Sequence, residues 1–560
     1  MLHLALNAAG AARSYVPISL RIFLPAWEGH LRLLVCALAA GLLAGQVGVV
    51  NRAEAQKAGG VWKIYSPDSP ASMSPLEEST AFAVGPMMGV FNNLVMFDQH
   101  VKQNSLQSIV PDLATTWTWS EDRTNLTFSL RQGVKWHDGK PFTAKDVECT
   151  WNLLLEKSDE KLRINPRVSN YKNLDRVTTN GDWEVTFVLK RTQPAFLMLL
   201  ASGVSPVYPC HVPPETMRKH PIGTGPFKFV EYRPNQHIKV TRNPDYWKAG
   251  RPYLDGIEYR IIRNVGTALL SFTTRDVDMT FPAQVTVPLM KDLKRQSPTA
   301  ICELTPGTVN RHVVVNRSVP PFDNQDLRRA LALAIDRQAF IDILGEGQGN
   351  IGAVLQPTPG GLWGIPPDLL KELPGYDPDI AKNREQARAI MEKLGYGPGK
   401  RLKVKLTTRD LPLYRDPAII LLDQLKHIYF DAELETIETG AYFPKIRRKD
   451  FVISLNLQTS GPDPDPTLDA FYGCGSSLNW DGHCNPEIDK LIELQSIEAD
   501  ESKRRQIVWQ IERKLAEDAV RPIIFYVHGA TCRHPYVKGM TLLLNSFFSG
   551  YRYEDVWLDK

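Results

Sequence analysis

Thr127-Phe-Ser-Leu-Arg-Gln-Gly-Val-Lys-Trp-His-Asp-Gly-Lys-Pro-Phe142, continuing through Ala144-Lys-Asp-Val147, is the stretch that decides the fold class. Leu126 to Leu130 alternates apolar and polar residues, the pattern of a half-buried strand. Asp138-Gly139 supplies a tight bend, so His137-Asp-Gly-Lys140 is turn material. Thr143 to Leu155 then reads as a helix, with Thr143 as N-cap and Asp146 at N3. A second alternating strand follows at Trp183–Leu189. Strand, turn, helix and strand within about sixty residues describe a mixed α/β chain.

Working outward, Gly60 to Tyr65 reads as a short strand that the prolines of Ser66-Pro-Asp-Ser-Pro70 end. Asp323-Asn324 caps a helix from about Gln325 to Leu344, with Leu327, Ala330, Leu331, Ala334 and Ile335 on one face. Arg384 to Leu394 is a helix stopped by Gly395. Leu402–Leu406 and Phe451–Leu457 read as strands, with a helix at Pro417–Ile428 between them. Asn485-Pro486 caps another helix, a further helix runs from about Glu501 to Ala519, and Pro522 to Val527 is a buried strand. This alternation predicts an α/β lobe with a partly parallel sheet.

At 560 residues the chain exceeds one ordinary core, and two or more domains are expected. Net charge is +4, and beyond residue 55 there are 62 basic against 60 acidic residues. That balance gives no electrostatic case for a nucleic-acid partner, where a basic stripe would be expected, and none is predicted. Arg21 and Arg32 precede an apolar run from Leu33 to Val50, followed by the small-x-small site Ala53-Glu-Ala55. These predict a secretory signal with a leader extension over 1–55 and a periplasmic product. Leu34-Val35 before Cys36 lacks the small residue that lipoprotein processing needs, so lipidation is not expected. Export permits disulfides. Cys474 and Cys484 lie close in a Gly/Ser/Asn-rich loop and are expected to pair, in preference to a zinc site with His483. Cys149, Cys210, Cys302 and Cys532 stay unassigned.

Three blocks carry a resemblance. The first is Pro111-Asp-Leu-Ala with Trp117 and the stretch quoted above. The second is Gly223-Thr-Gly-Pro-Phe-Lys-Phe229 with Arg242-Asn-Pro-Asp-Tyr-Trp247 and Tyr253-Leu-Asp255. The third is Pro321-Phe-Asp-Asn324 running into Leu327-Arg-Arg-Ala-Leu-Ala-Leu-Ala-Ile-Asp-Arg337. In order and spacing they resemble the family 5 extracellular solute-binding proteins of bacterial ABC importers. The resemblance implies a two-lobed periplasmic-binding-protein fold (class II-like, cluster C) with an extra domain inserted in the first lobe. The first lobe would take 56–98, 221–308 and 523–560, the extra domain 99–220, and the second lobe 309–522. It implies a monomer whose lobes close on a small-molecule or short-peptide ligand and present it to the permease subunits and their ATPases. The motifs themselves read as fold maintenance, with Gly223-Thr-Gly-Pro226 letting the backbone turn sharply.

Ligand residues are expected where the lobes face each other. The segment Gln458-Thr-Ser-Gly-Pro-Asp-Pro-Asp-Pro-Thr467 is the most suggestive. In peptide-binding relatives an acidic residue of this loop receives the α-amino group, because a buried ammonium needs a carboxylate. Asp465-Pro466 fits the family's Asp-Pro step, while Pro462 fills the upstream acidic position and Asp463 is shifted by one. Gln458, Thr459, Asp463 and Asp465 are therefore candidates. Tyr65, Trp363, Tyr472 and Trp480 are candidate stacking aromatics, and Asn92 and Asn93 candidate hydrogen-bonding groups from the first lobe. Asp463-x-Asp465 fails as an EF-hand loop, and Gly347-x-Gly-x-x-Gly352 follows a helix and not the strand that a dinucleotide site requires. No G-x-S-x-G, H-E-x-x-H or P-loop pattern occurs, and the twelve histidines form no cluster. No catalytic residue, metal or cofactor is expected. The alternatives are a ligand-sensing receptor, or a binder of an opine, a sugar-like solute or a metal chelate.

Overall fold

Trp62 and Ile64 are fully buried on the strand Val61–Ser66, while Val61 and Lys63 reach solvent to different degrees. This alternation seeds a four-stranded sheet in the computed structural model, which describes residues 56–307, 309–357, 360–545 and 551–560. The export segment and Cys36 lie outside the described residues. Val61–Ser66 pairs in parallel with Gly256–Ile261, which pairs antiparallel with His237–Arg242, and that strand with Phe227–Arg233.

A second four-stranded sheet runs in the order Ala114–Trp119, Asn125–Leu130, Glu184–Leu189, Leu174–Thr179. Helix Ala144–Leu154 starts at a capping box between Thr143 and Asp146. One continuous core holds both sheets, from Trp62 and Tyr259 to Phe128 and Trp151. The inserted sheet thus leans on the first for its burial.

The six-stranded sheet of the second lobe is ordered Gly349–Asn350, Ile523–Val527, Val309–Val315, Ile453–Thr459, Leu402–Arg409, Phe430–Ile437. Leu402–Arg409 is parallel to both neighbours and the remaining pairs are antiparallel, so the sheet is partly parallel. Its core (Val313, Leu331, Leu406, Ile453, Phe525) is separate from the first. Two expectations need correction here. Strand Ile523–Val527 pairs with Val309–Val315, so the boundary at 523 fails and the return to the first lobe comes after Val527. The single helix expected from Gln325 to Leu344 is two, Gln325–Ala334 and Arg337–Gly345. Asp336 breaks it: its side chain accepts from Ala339 N–H at 3.1 Å, and its own N–H donates to Gln424 Oε1 at 2.8 Å.

Two strands, Ile301–Thr305 and Gly529–Arg533, run side by side as an antiparallel ribbon. Each leads directly to a strand of the second-lobe sheet, so together they form the crossover. Cys302 faces Cys532 across the ribbon and is bonded to it. Cys474 is bonded to Cys484, and Cys149 to Cys210. Among the described residues no helix is long and apolar enough to cross a membrane, and no three His, Cys, Asp or Glu side chains are grouped to hold a metal.

Candidate functional site

Strand Ile453–Thr459 ends at the bottom of a cleft of about 1810 Å³, part of it open to solvent. Its walls come from the first sheet's flank (Phe82), the inserted domain (Arg167, Met198), the crossovers (Pro306, Thr531) and the second lobe (Arg409, Phe443, Phe471). A second chamber of about 1230 Å³ shares Phe82, Gln284, Arg311 and Leu413 with it. The setting is thus a two-chambered, largely apolar space between lobes, with a few polar groups placed in it.

Of the residues singled out from sequence, Gln458, Thr459, Asp463 and Trp480 line the main cleft, and Tyr65 lines the second chamber. The others lie elsewhere. Asn92 and Asn93 are 1% and 3% exposed and sit in a network that joins the first lobe to the inserted domain. Asn92 Nδ2 donates to Asp112 Oδ1 at 2.7 Å, and Thr224 Oγ1 donates to Asn92 Oδ1 at 3.0 Å. Asn93 Nδ2 donates to the Leu200 and Ser202 carbonyls, and its oxygen accepts from Arg552 at 3.1 Å. Tyr472 is fully buried beneath the cleft, its hydroxyl donating to Gln458 Oε1 at 3.4 Å. Trp363 stands behind the 458–467 loop, its Nε1 donating to Pro462 O at 3.1 Å. Asp465 opens the helix Asp465–Tyr472 and accepts from Gln193 Nε2 and Gln495 Nε2, both at 2.6 Å. Burial pushes its carboxyl above the usual carboxylate range.

Asp463 touches the cleft, but its charge is already matched. Arg504, from helix Glu501–Glu517, donates to both of its oxygens at 2.7 Å. Asp463 Oδ1 also accepts Asp465 N–H at 2.8 Å. This buried bidentate pair leaves no free carboxylate for a ligand ammonium. Among the described residues Asp463 is the sole acid lining the main cleft, and Asp416 lines the second chamber. Arg504 also lies over the Trp363 ring at 4.7 Å, so the loop's aspartate, tryptophan and arginine form one structural block.

Sequence reasoning missed three arginines of the wall: Arg167, Arg311 and Arg409. Arg409 is paired with Asp68 at 2.7 Å and hydrogen-bonds Tyr414 and Thr439. Asp68 is fully buried and also receives Arg263 at 3.1 Å and the Thr439 hydroxyl. It follows the first strand of the first lobe, so this cluster ties the lobes together. Arg167 donates to the carbonyls of Pro75 and Glu78. Among the described residues the Arg311 guanidinium makes a single hydrogen bond, to Val309 O at 3.2 Å. Burial draws both Arg167 and Arg311 down to about 10, which leaves them charged at neutral pH. The available signal was local: Asn310-Arg311-His312 interrupts a strand that otherwise reads as valines.

A family model described as bacterial extracellular solute-binding proteins, family 5 Middle, matches residues 108–479. Di/tripeptide-binding protein 1 of Pseudomonas aeruginosa is 25% identical over 488 residues, covering 82% of this chain and 87% of that protein. The oligopeptide-binding protein AppA of Bacillus subtilis, solved with a nonapeptide, superimposes with a TM-score of 0.78 at 24% identity, over 90% of this chain and 100% of that one. AgaA from A. tumefacien R10, solved with agropinic acid, gives 0.77 at 21% identity, over 90% and 99%. The three sequence blocks, the crossover ribbon and the cleft between two sheets therefore have one common origin: the chain belongs to the family 5 bacterial extracellular solute-binding proteins.

Proposed function

We propose that the protein captures a small polar solute between its lobes outside the cytoplasmic membrane and delivers it, chemically unchanged, to the permease of an ABC importer. The observation that carries this is the cleft itself: about 1810 Å³, walled by both lobes and the inserted domain, and bounded by the two crossovers. Residues 56–98, 221–305 and 529–560 act as the first lobe, 99–220 as the inserted domain and 309–527 as the second. Closure about the Ile301–Thr305 and Gly529–Arg533 ribbon buries the solute and shapes the surface that the permease recognises. The protein acts as a monomer.

The relatives include a di/tripeptide-binding protein, AppA with a nonapeptide and AgaA with agropinic acid. Peptide capture through Asp463 has no support in this chain, because Arg504 holds both carboxylate oxygens. A ligand ammonium accordingly finds no unpaired carboxylate at Asp463.

The test is to express residues 56–560 in a periplasm, denature the purified protein and identify released compounds by mass spectrometry. One compound or a narrow set at near-stoichiometric amount supports capture. Catalytic turnover of that compound by the protein alone contradicts it.

A further inference from the structure

The charges of the cleft are unbalanced, and Arg311 is the arginine of its wall that has no carboxylate beside it among the described residues. Arg409 has Asp68 and Asp463 has Arg504; Arg167 makes no ion pair among the described residues but has Glu78 within electrostatic range, a carboxyl that burial pushes up to about 7. Arg311 is 4% exposed and no carboxylate among the described residues pairs with it. The undescribed segments after residue 55 (308, 358–359 and 546–550) contain no acidic residue. Among the described residues its Nε has no partner, as is true of Arg167 Nε, and its guanidinium lies 5.4 Å from the Phe525 ring. A buried charge without a partner is costly, so a fold keeps one only where something repays it.

Strand register shows which face Arg311 occupies. It stands opposite Leu457, and Val309 stands opposite Thr459. Residues opposite one another in an antiparallel pair share a face, and all four line the main cleft. Arg311 also lines the second chamber, so it sits at the junction of the two. Among the described residues the buried Nε1 of Trp480, another wall residue, and the hydroxyl of Thr80 have no partner. Two of these three groups are obligate donors, and of the acids lining the two chambers among the described residues Asp463 is paired with Arg504 and Asp416 with Arg415, at 3.7 Å. A wall rich in donors and lacking free carboxylates fits an acceptor-rich anion.

We propose that Arg311 receives the ligand's anionic group and that the solute is an organic acid, bound by its carboxylate at the junction of the two chambers. This rests on the cleft being the solute site and names the chemistry of what enters it. The guanidinium takes the carboxylate in a fork of two N–H···O bonds. Indole and hydroxyl groups of the wall take further oxygens.

The test uses mature wild-type protein with Arg311→Met and Arg311→Lys variants. Each is stripped by unfolding and refolding with disulfides intact, then titrated by calorimetry and thermal shift. The probes are acetate, succinate, N-acetyl-alanine, N-acetyl-dialanine and the acid released in the mass-spectrometric experiment, each beside its amide. Expected is stabilisation by at least one acid and not by its amide, with affinity reduced about a hundredfold in Arg311→Met and partly kept in Arg311→Lys. Ligand-free Arg311→Met should melt no lower than wild type, since an uncompensated buried cation is gone. A merely structural arginine would lower the melting point and leave acid binding intact, which would overturn the proposal. Binding of amides or of dialanine amide, but of no acid, would overturn it while sparing the cleft as solute site. Failure of every acid to bind wild type would overturn the proposal, while the compound released on denaturation decides separately whether the cleft captures a solute.

Discussion

A methyl group on Gly223 would sit 1.9 Å from the carbonyl oxygen of Val90, and one on Gly225 2.5 Å from that of Gly89. Neither glycine has a positive φ, so the sharp turn expected from Gly223-Thr-Gly-Pro226 is not why they are glycines. They let the backbone press against residues 89–91, where Gly225 N–H donates to Val90 O at 2.9 Å. Gly223→Ala should therefore lower the denaturant midpoint severely, by several kcal/mol. Gly399→Ala, with nothing within 4 Å of its added methyl, should leave it within about 0.5 kcal/mol. His137 joins the same contact. Gly223 N–H donates to its Nδ1 at 3.2 Å, so Nε2 carries the proton and donates to Gly225 O at 3.0 Å. Burial draws its imidazole down to about 4, against about 6.5 when unfolded. The unfolded chain thus binds the extra proton: this contribution is whole above about pH 6.5 and is lost as pH falls toward 4. Thermal melts of His137→Asn should show a flatter acid limb than wild type, by up to about 3 kcal/mol. The turn at Asp138-Gly139 was legible because it is local. The partner of His137 was not, because it lies 86 residues away.

Elements whose boundaries depend on a neighbouring side chain were read well. Thr143 with Asp146, Asn324 and Asn485 each mark a helix start, and caps act within one turn, although Asp379 and Asp500, which cap two further helices, were not read as caps. The break at Asp336 was hidden because its reasons are distant: Gln424 holds the backbone, and buried Arg337 reaches Ile523 O at 2.9 Å. The 458–467 loop failed in the same way. Nothing local says that Asp463 belongs to Arg504, forty-one residues on. Of the candidate site, the strand end and Trp480 were legible; the three arginines were not, since long charged side chains read as surface. Asp463→Asn alone should cost about 3–5 kcal/mol in urea unfolding by stranding Arg504. An Asp463→Leu/Arg504→Met double variant should recover most of that. Equal losses in both would mean that the pair matters for something beyond its own charge balance.

Across the whole molecule the lobes touch through Asp68, whose carboxylate takes Arg409 and Thr439 from the second lobe and Arg263 from the first. Weakening this junction should favour the separated form. Asp68→Asn is expected to raise the radius of gyration of the ligand-free protein in small-angle scattering, and a junction worth about 1.4 kcal/mol would cost tenfold in solute affinity. Unchanged scattering with unchanged affinity would show that Asp68 does not govern closure. Lobe organisation was legible only through the family blocks, since no composition shift marks the boundaries. The crossover was misplaced by one strand because His528 alone separates Ile523–Val527 from Gly529–Arg533. Within that crossover, the Cys302–Cys532 bond makes the intervening 229 residues a covalent ring with a single clasp. The second lobe is therefore a macrocycle hung from the first, swinging about its own fastening. A protease cut anywhere inside the ring opens it without releasing a fragment, so nicked protein should migrate as one species on a non-reducing gel and as two once the clasp is reduced.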